Sequence, residues 1–560
     1  MRLEVLPRTN ASYAGGRQTG RMEGIWLSYG RNYFSQDRPL QLFLEHLGFR
    51  HKGSLEGLGS YVSTRMMPEA YHIDRHARPS LIKWSVRGEE LNEVLVSSGH
   101  IRTLYDLLGF GVVSKALTGE ADLMYHFVSG YVISDAGLFC SVTLTMQTAY
   151  GLGKYGDEAT RSAYLPHFLR EERPWMGATF YTELGAGSDL GGLETVAERA
   201  GDGTWRLKGL KYFASNAGLA NAAIVTAKPA PVRYGARAVA TFFAPALRPD
   251  GRPNWRLLRL KEKLGTITVP TGEVELNETL AHILSTPENG IYVALEILTL
   301  ARIDNSLAGL GLARKALWEV YLYGRERRAF GRRLVDHPLY LRDLVEMEAR
   351  LQANLLLSLV TARSFTEVSD ERPPYSPNYH AARLLTHLTK NMAAWTSIDL
   401  TRYSMELMGG IGFLEEFPMA KLHRDALVTS IWEGTSNVHS LDMAEAFYSK
   451  EAGWNLLEDL NARISGLSDQ EARRKLSAAL EGVRDEAATA VRDGVELHAK
   501  RLLTLLGRLI SATLYQEWAE SSGEEWATAM SRVYLLTDVL GRDVDSDLVR
   551  RASYGLAWMG

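Results

Sequence analysis

The pattern of apolar positions divides the chain into a helical first part, a β-rich middle part and a helical remainder. Up to about residue 173, apolar residues recur at three- and four-residue spacing, which places them on one face of a helix. The two clearest runs are Leu40, Phe43, Leu44 and Leu47, and Leu91, Val94, Leu95 and Val96. The uncharged stretch 136–153 is interrupted by hydroxyl-bearing residues, so it predicts a buried core helix rather than a membrane span.

The middle part, from about residue 175 to residue 284, has a different pattern. Short β-branched and aromatic runs alternate there with glycine, proline, asparagine and aspartate, which is typical of strands joined by turns. The clearest predicted strands cover 222–227, 238–243 and 272–276. We therefore expect a small β domain inserted between helical ones.

Helical periodicity returns after Pro287. One stripe predicts a long core helix, and it consists of Leu300, Ile303, Leu307, Leu310, Ala313 and Leu317. Three prolines within residues 372–377 predict a loop. Amphipathic runs over 472–506 and 524–540 predict further helices near the carboxy terminus.

Composition and charge refine this division. The chain has 560 residues, of which 46% are apolar, enough for several cores. We expect domains over 1–174, 175–285, 286–449 and 450–560. The net charge is −3, and the last domain holds 14 basic against 18 acidic residues. Because DNA binding depends on cationic side chains, nucleic acid is a disfavoured partner, although folding could still gather Arg473, Arg474 and Lys475 into one patch.

Three local features bear on compartment and metal binding. Charges and glycines interrupt residues 1–30, so we find no signal peptide and expect a cytoplasmic protein. Cys140 is the single cysteine, which excludes an internal disulfide, and its apolar surroundings indicate a structural role. His72 and His76 are four residues apart without a nearby third ligand, so we predict no metal site.

Residues 181–189, Tyr-Thr-Glu-Leu-Gly-Ala-Gly-Ser-Asp, form the first candidate site. Glycines spaced by one residue let backbone N–H groups turn toward an anion, and the hydroxyls of Thr182 and Ser188 can add hydrogen bonds. The segment could hold a pyrophosphate. An ordinary polar turn is the alternative.

Residues 209–217 form the second candidate site. Strand alternation places Phe213 and Ser215 on one face, an arrangement that suits a flat heteroaromatic cofactor. The alternative is an ordinary core strand that ends in an asparagine turn.

Two further segments carry charge in unusual surroundings. Residues 325–333 hold six charges around Phe330, and a solvated helix end is the simplest interpretation. Glu433 lies between Trp432 and Gly434, where partial desolvation would raise its pKa toward the range of a general base. A capping or surface glutamate is the alternative.

All four segments occur in the order and at the separations found in the acyl-CoA dehydrogenase family, which this sequence resembles over roughly residues 138–443. The pairing of residues 182–189 with Ile-Trp-Glu-Gly-Thr-Ser at 431–436 is the most specific part of the match. The segment from residue 66 and the carboxy-terminal extension are most similar to the alkylation-response branch of the family.

The resemblance implies a multi-domain α protein with an inserted β-barrel, in the order helical domain, β-barrel and helical bundle, followed here by a helical extension. It also implies FAD, bound between the barrel and the bundle and usually shared by neighbouring subunits of a homodimer or homotetramer. The implied contacts are Tyr181 and Thr182 at the flavin ring, Ser188 on the substrate or pyrophosphate side, Phe213 over the ring, Ser215 near flavin N5, Arg327 and Phe330 at a neighbouring subunit's FAD, Glu406, Gly409 and Gly410 at the adenosine half, and Thr435 at the cofactor. Glu406 stands where the family often has glutamine, and Pro338 replaces a second glutamine.

The family's chemistry makes Glu433 the base that removes an α-proton from an acyl-CoA thioester while hydride passes from the β-carbon to flavin N5. An electron-transferring flavoprotein would then take the electrons. One alternative is an acyl-CoA oxidase, which uses oxygen instead. Another is a flavin-containing protein that binds or protects DNA, which the alkylation-response resemblance implies.

Overall fold

The computed structural model describes residues 26–285 and 288–560, so the expectation of no signal peptide lies largely outside the described residues. The first part of the chain is mainly helical. Its elements are α1 Arg38–His46, α2 Lys52–Tyr61, α3 Met67–His76, β1 Ser80–Trp84, β2 Glu90–Leu95, α4 Ser98–Gly109, α5 Ser114–Thr118, α6 Leu123–Ile133, α7 Ala136–Tyr155 and α8 Glu158–Leu169. The predicted helix over 40–47 is α1, and the predicted core helix over 136–153 is α7.

The prediction of a helix through Leu91 and Val96 is wrong, because these residues belong to the strand β2 and its end. Strand β2 forms a hairpin with β1, and Leu81 lies opposite Val94. Both side chains pack against the core of the neighbouring β domain. A six-residue apolar run fits either periodicity, and this tertiary contact decides for the strand.

The middle part is a β-barrel with flanking strands. Its strands are β3 Gly177–Phe180, β4 Val196–Arg199, β5 Trp205–Ser215, β6 Ala222–Pro229, β7 Ala240–Pro245, β8 Arg256–Leu260 and β9 Thr271–Ile283. The pairings run from β6 through β4, β5, β9 and β7 and back to β6, which closes a barrel. The barrel confirms the predicted fold class, and the strands predicted over 222–227, 238–243 and 272–276 lie in β6, β7 and β9.

The remainder is helical apart from a small hairpin. Its elements are α9 Gly290–Glu326, β10 Arg328–Ala329, β11 Arg332–Arg333, α10 Pro338–Val368, α11 Pro377–Met408, α12 Pro418–Leu427, α13 Ser436–Ala444, α14 Ala452–Gly466, α15 Gln470–Asp493, α16 Val495–Ser522, α17 Glu525–Tyr534 and α18 Ser546–Ser553. Helix α9 is the predicted long core helix, and it is surrounded by α6, α7, α10, α11 and α12. None of the described helices is long and apolar enough to cross a membrane.

The carboxy-terminal helices share the core of the bundle. Tyr515 on α16 donates a hydrogen bond of 2.7 Å to Gln352 on α10. Trp318 on α9 donates one of 2.8 Å to the carbonyl of Met559. A single hydrophobic cluster therefore extends from the amino-terminal helices to the end of the chain. The predicted run 472–506 is divided between α15 and α16 at Gly494, whose φ of 115° ends the first helix.

The basic residues of this tail are largely engaged by neighbouring groups. Arg532 pairs with Asp469 at 2.7 Å, and Lys475 pairs with Glu471 at 2.7 Å. The guanidinium of Arg473 donates to the carbonyl of Leu467 at 3.0 Å. Of the cationic run 473–475, at least Arg473 and Lys475 therefore have local partners.

Candidate active site

Glu433 lies in the short connection between α12 and α13, in an unusual backbone conformation. Its φ is 58°, and that of Gly434 is 106°, a region that L-residues with bulky side chains rarely adopt. Two buried cations hold the strained segment. Arg302 on α9 donates to the carbonyl of Glu433 at 3.0 Å, and Lys390 on α11 donates to that of Gly434 at 2.5 Å. The conformation is thus imposed by the helices behind it.

The surroundings of the Glu433 carboxyl raise its pKa above the ordinary value of a glutamate in water. Burial raises its pKa, Arg302 and Lys390 oppose that rise, and Asp304 adds to it. Burial also lowers the pKa of Lys390 to about 7. Within the described residues, Oε2 of Glu433 has no hydrogen-bond partner. A carboxyl group with these properties can accept a proton from a bound molecule.

Glu433 borders a narrow cavity between α7, α9 and the segment before α13. The cavity has a volume of about 30 Å³, room for roughly two waters. It is lined mainly by apolar and small residues: Ala136, Phe139, Cys140, Leu144, Ala301, Ala308, Gly309, Leu312 and Trp432. The indole of Trp432 donates to Asn305, whose amide donates to the carbonyl of Thr429 at 3.0 Å. The wall beside Glu433 is therefore held by hydrogen bonds.

The cavity includes polar residues that sequence reasoning did not identify. Cys140 also lines it, and burial raises the pKa of its thiol to about 12, so its predicted structural role stays a prediction. Gln147, Thr143 and Asp304 also line it. These three residues lie within apolar helical stretches. The sequence marks them only as polar residues at positions where the helical spacing predicts burial.

Tyr181 is buried near the same carboxyl. Burial and the charge of Glu433 both raise the pKa of its phenol. In the described part of the chain, its hydroxyl has no hydrogen-bond partner. The next residues form a tight turn, in which the N–H of Glu183 donates to Ala186 at 2.7 Å. Thr182 is half-buried, and Ser188 is exposed beyond the turn.

The Glu183 carboxylate inside this turn is fully engaged. It accepts hydrogen bonds from the N–H of Glu194 at 2.6 Å, from the hydroxyl of Thr195 at 2.5 Å and from Lys211 at 2.7 Å. Burial raises its pKa, but Lys211 and these hydrogen bonds lower it overall. Glu183 therefore stabilises the turn as an ionised carboxylate at neutral pH.

Phe213 and Ser215 lie at the end of β5. An extra residue in β5 between Lys211 and Ala214, relative to β9, forms a bulge there. The Phe213 ring is 54% exposed, whereas the Ser215 hydroxyl lies 3.0 Å from that of Thr271. The end of β5 is therefore not a fully packed core strand: the Phe213 ring is exposed, and the Ser215 hydroxyl is hydrogen-bonded to Thr271.

The charged segment 325–333 is a hairpin at the end of α9. Arg327 closes α9 with a hydrogen bond of 2.8 Å to the carbonyl of Tyr323, and its side chain is exposed. Phe330 lies at the tip with a φ of 49° and is 96% exposed. Neither residue lines the cavity beside Glu433.

The remaining predicted contacts lie at helix ends. Glu406 is exposed and pairs with Arg402 on the same helix at 2.9 Å. Gly409 has a φ of 67°, and the space where a Cβ would lie at Gly409 and Gly410 is open to beyond 4 Å. Thr435 is exposed immediately before α13. The structure thus places Tyr181 near Glu433, and it places Arg327, Phe330 and Glu406 on the surface.

The residues of the barrel face fit an FAD. The exposed ring of Phe213 offers a face for a flat heteroaromatic group. The buried hydroxyl of Tyr181 and Oε2 of Glu433 are polar atoms without partners in the ranges that the structure describes, and such atoms usually mark a ligand or water. The space where a Cβ would lie at Gly185 is open to beyond 4 Å, so the backbone N–H groups of the turn can approach a phosphate there.

The chain is similar to characterised proteins along most of its length. Residues 178–279 match the family described as "Acyl-CoA dehydrogenase, middle domain", and residues 288–448 match "Acyl-CoA dehydrogenase, C-terminal domain". Acyl-CoA dehydrogenase family member 11 of Caenorhabditis elegans is 28% identical over 516 residues, which is 88% of this chain and 81% of that protein. AidB of Escherichia coli is 29% identical over 343 residues, 59% of this chain and 61% of that protein.

A solved structure extends the likeness to the whole fold. The crystal structure of Caenorhabditis elegans ACDH-11 in complex with C11-CoA superposes with a TM-score of 0.82 at 23% identity, over 98% of this chain and 97% of that one. The chain belongs to the acyl-CoA dehydrogenase family. It is an FAD-dependent oxidoreductase that acts on acyl-CoA.

Proposed function

We propose that the protein desaturates an acyl-CoA thioester between Cα and Cβ, with Glu433 as the base that removes the α-proton. The observation that carries this proposal is the Glu433 carboxyl at the edge of a narrow apolar cavity. Burial raises its pKa, and Oε2 is without a partner among the described residues. A carboxylate in such surroundings accepts a proton far more readily than one in water.

The α-proton of a thioester is too weakly acidic to leave unaided, so its carbonyl must be polarised as the base acts. The rigid backbone at Glu433, held by Arg302, is suited to direct its own N–H at that carbonyl. The cavity walls then exclude water and hold the acyl chain with its α-carbon next to Glu433.

FAD would supply the acceptor for the hydride that leaves Cβ. In this proposal, Tyr181, Thr182, Phe213 and Ser215 hold the flavin ring beside Glu433. Ser188 and Thr435 contact the cofactor or the phosphate side of the substrate.

The surface residues have a different part in the proposal. Arg327 and Phe330 at the hairpin tip, and Glu406, Gly409 and Gly410 at the end of α11, would contact the adenosine and pyrophosphate half. Arg327 and Phe330 are exposed on the hairpin, and the family arrangement would let them reach the FAD of a second copy. We therefore expect a homodimer or homotetramer.

For the electron acceptor we propose an electron-transferring flavoprotein rather than oxygen. For the substrate, the relative in complex with C11-CoA makes straight-chain acyl-CoAs the first compounds to test. The small volume of the cavity, about 30 Å³, favours short chains here.

The test is anaerobic titration of the FAD-loaded protein with a panel of acyl-CoA thioesters, with loss of flavin absorbance as the readout. We expect bleaching by at least one short straight-chain acyl-CoA, followed by reoxidation by an electron-transferring flavoprotein. Rapid peroxide formation under air would instead indicate an oxidase. A protein that takes up no FAD, or a flavin that no acyl-CoA reduces, would overturn the proposal.

A further inference from the structure

The lining of the cavity beside Glu433 includes polar groups that the desaturation chemistry does not require. Asp304 on α9 is one of these groups and is 1% exposed. Its Oδ2 accepts a hydrogen bond from the hydroxyl of Thr143 and lies 3.1 Å from Nε2 of His126. Its Oδ1 is buried and lacks a partner in the described ranges. A buried carboxyl oxygen without a partner costs free energy unless a ligand or water satisfies it.

The hydrogen bonds of His126 define which atoms can donate. Nδ1 of His126 lies 2.7 Å from the carbonyl of Val112, which can only accept, so Nδ1 carries a proton. One further proton must lie between Nε2 and Oδ2 of Asp304. Whichever of the two atoms holds this proton, His126 and Asp304 together are neutral, and Oδ1 remains an acceptor.

A second polar group faces the same space. The amide of Gln147 lies 3.3 Å from the hydroxyl of Thr143 through Nε2, and its Oε1 is also buried without a partner among the described residues. Because the hydroxyl of Thr143 donates to Asp304, it can only accept from the Gln147 amide N–H, which leaves Oε1 of Gln147 as an open acceptor. Asp304 and Gln147 therefore form a patch of hydrogen-bond acceptors, called the floor below, in the lining of a cavity that is otherwise mostly apolar.

We propose that the preferred substrate carries a hydroxyl group toward the distal end of its acyl chain, where it donates a hydrogen bond to Oδ1 of Asp304. This inference rests on the proposed function. A plain hydrocarbon end offers Oδ1 no donor, so the oxygen stays unsatisfied unless a water fits beside the chain. A terminal carboxylate would be a buried anion near the Glu433 carboxylate, without a counter-charge among the described residues of the cavity lining.

A terminal ammonium fits less well than a hydroxyl. The Asp304 and His126 pair is already neutral, so an additional buried cation would have no counter-charge on the floor. A hydroxyl brings one donor and no charge, which matches Oδ1 of Asp304, and a water can satisfy Oε1 of Gln147.

The test compares matched pairs of straight-chain acyl-CoAs that differ only in a terminal hydroxyl, over a series of chain lengths. The readouts are kcat/KM for anaerobic flavin reduction and Kd from calorimetry. At the length that reaches the floor we expect the hydroxylated member to be favoured by about 10–100-fold, less than the largest known rejections because water can replace the hydroxyl in part. Chains with terminal ammonium or carboxylate should be poorer than both.

Two variants separate selectivity from a structural role. Asp304→Asn keeps a carbonyl oxygen at the floor and should keep the hydroxyl preference. Asp304→Leu removes the acceptor and should abolish or reverse it. FAD content and melting temperature of both variants show whether each still folds.

The failures of the two proposals differ. Turnover of unsubstituted acyl-CoAs without a hydroxyl preference at any length would overturn this inference and leave the proposed function standing. So would a preference for an ammonium-terminated chain, or an Asp304→Leu protein that folds and keeps the wild-type preference. If no acyl-CoA of any series reduces the flavin, both proposals are wrong.

Discussion

Two glutamates, Glu183 in the barrel and Glu433 in the helical bundle, occupy the two most distinctive motifs of the chain and have opposite surroundings. Glu183 accepts hydrogen bonds from two backbone N–H groups, a threonine hydroxyl and a lysine, and its pKa is lowered overall. Near Glu433, Arg302 and Lys390 donate to the backbone carbonyls of residues 433 and 434 rather than to the carboxyl. Oε2 of Glu433 has no partner in the described part of the chain, and the pKa of the carboxyl is raised.

The difference shows that burial alone does not make a carboxyl a base. Desolvation raises the pKa of both groups, and direct hydrogen bonds to the carboxylate decide the outcome. The Glu183 carboxylate already accepts hydrogen bonds from groups of the fold, so it is not available to accept a proton from a substrate. The cations near Glu433 donate to backbone carbonyls instead, which orients the segment and leaves the carboxyl free.

The largest expected effect is that of Glu433→Gln. The substitution keeps size and packing but removes the proton acceptor, so flavin reduction per FAD-loaded site should fall by roughly 10²–10⁴-fold. Stopped-flow measurement with a substrate acyl-CoA checks this. The melting temperature should not fall, because burial of a neutral amide costs less free energy than burial of a carboxylate. Near-normal reduction would remove Glu433 from the mechanism.

Glu183→Gln should have the opposite profile. It leaves Lys211 buried without its counter-charge, which should lower the free energy of unfolding by about 3–5 kcal/mol. Chemical denaturation measures the loss. Flavin reduction per folded, FAD-loaded site should stay within a few-fold of wild type, and a selective collapse of reduction with unchanged stability would contradict the comparison.

Acid should diminish the stability difference between wild type and Glu183→Gln. Because the pKa of Glu183 is lower in the folded protein than in the unfolded chain, its stabilisation is present above the unfolded value, about 4.3. It is lost as the pH falls below that value through the folded pKa. Unfolding of the two proteins at neutral and acidic pH tests this. A difference that stays constant would show that the carboxylate charge is irrelevant.

A smaller effect is expected for Lys390→Met. The Lys390 ammonium lowers the pKa of Glu433, so its removal should raise that pKa and move the acidic limb of the pH profile of flavin reduction to higher pH. Because the pKa of Lys390 is itself about 7, the difference from wild type should be largest below pH 7. An unchanged profile with retained FAD would show that Lys390 acts on the backbone alone.

The smallest effect is expected for Glu406→Gln, the control for Glu433→Gln. Glu406 is exposed and forms a surface pair with Arg402, and such pairs contribute at most about 1 kcal/mol. Flavin reduction per FAD-loaded site should be unchanged. FAD retention reports separately on the proposed adenosine contact, and a large loss of reduction at saturating FAD would point to a second acidic group in the chemistry.

The sequence by itself determined the features that depend on local periodicity and local chemistry. The stripe of α9, the uncharged run of α7 and the alternation in β6, β7 and β9 are properties of neighbouring residues. Glu433 was also identified locally, since tryptophan and glycine flank it. Such signals need no knowledge of distant parts of the chain.

Only the tertiary structure decided the rest. The strand β2 was predicted as a helix because a short apolar run fits both periods, and its contact with the barrel core settled the outcome. Asp304 in the cavity lining is hydrogen-bonded to His126 and Thr143, the three residues lie on three different helices, and no spacing along the chain links them. Each looked like an isolated polar residue in an apolar helix. Their meaning depends on which hydrogen bonds remain unmade after packing, and that is a property of the folded chain.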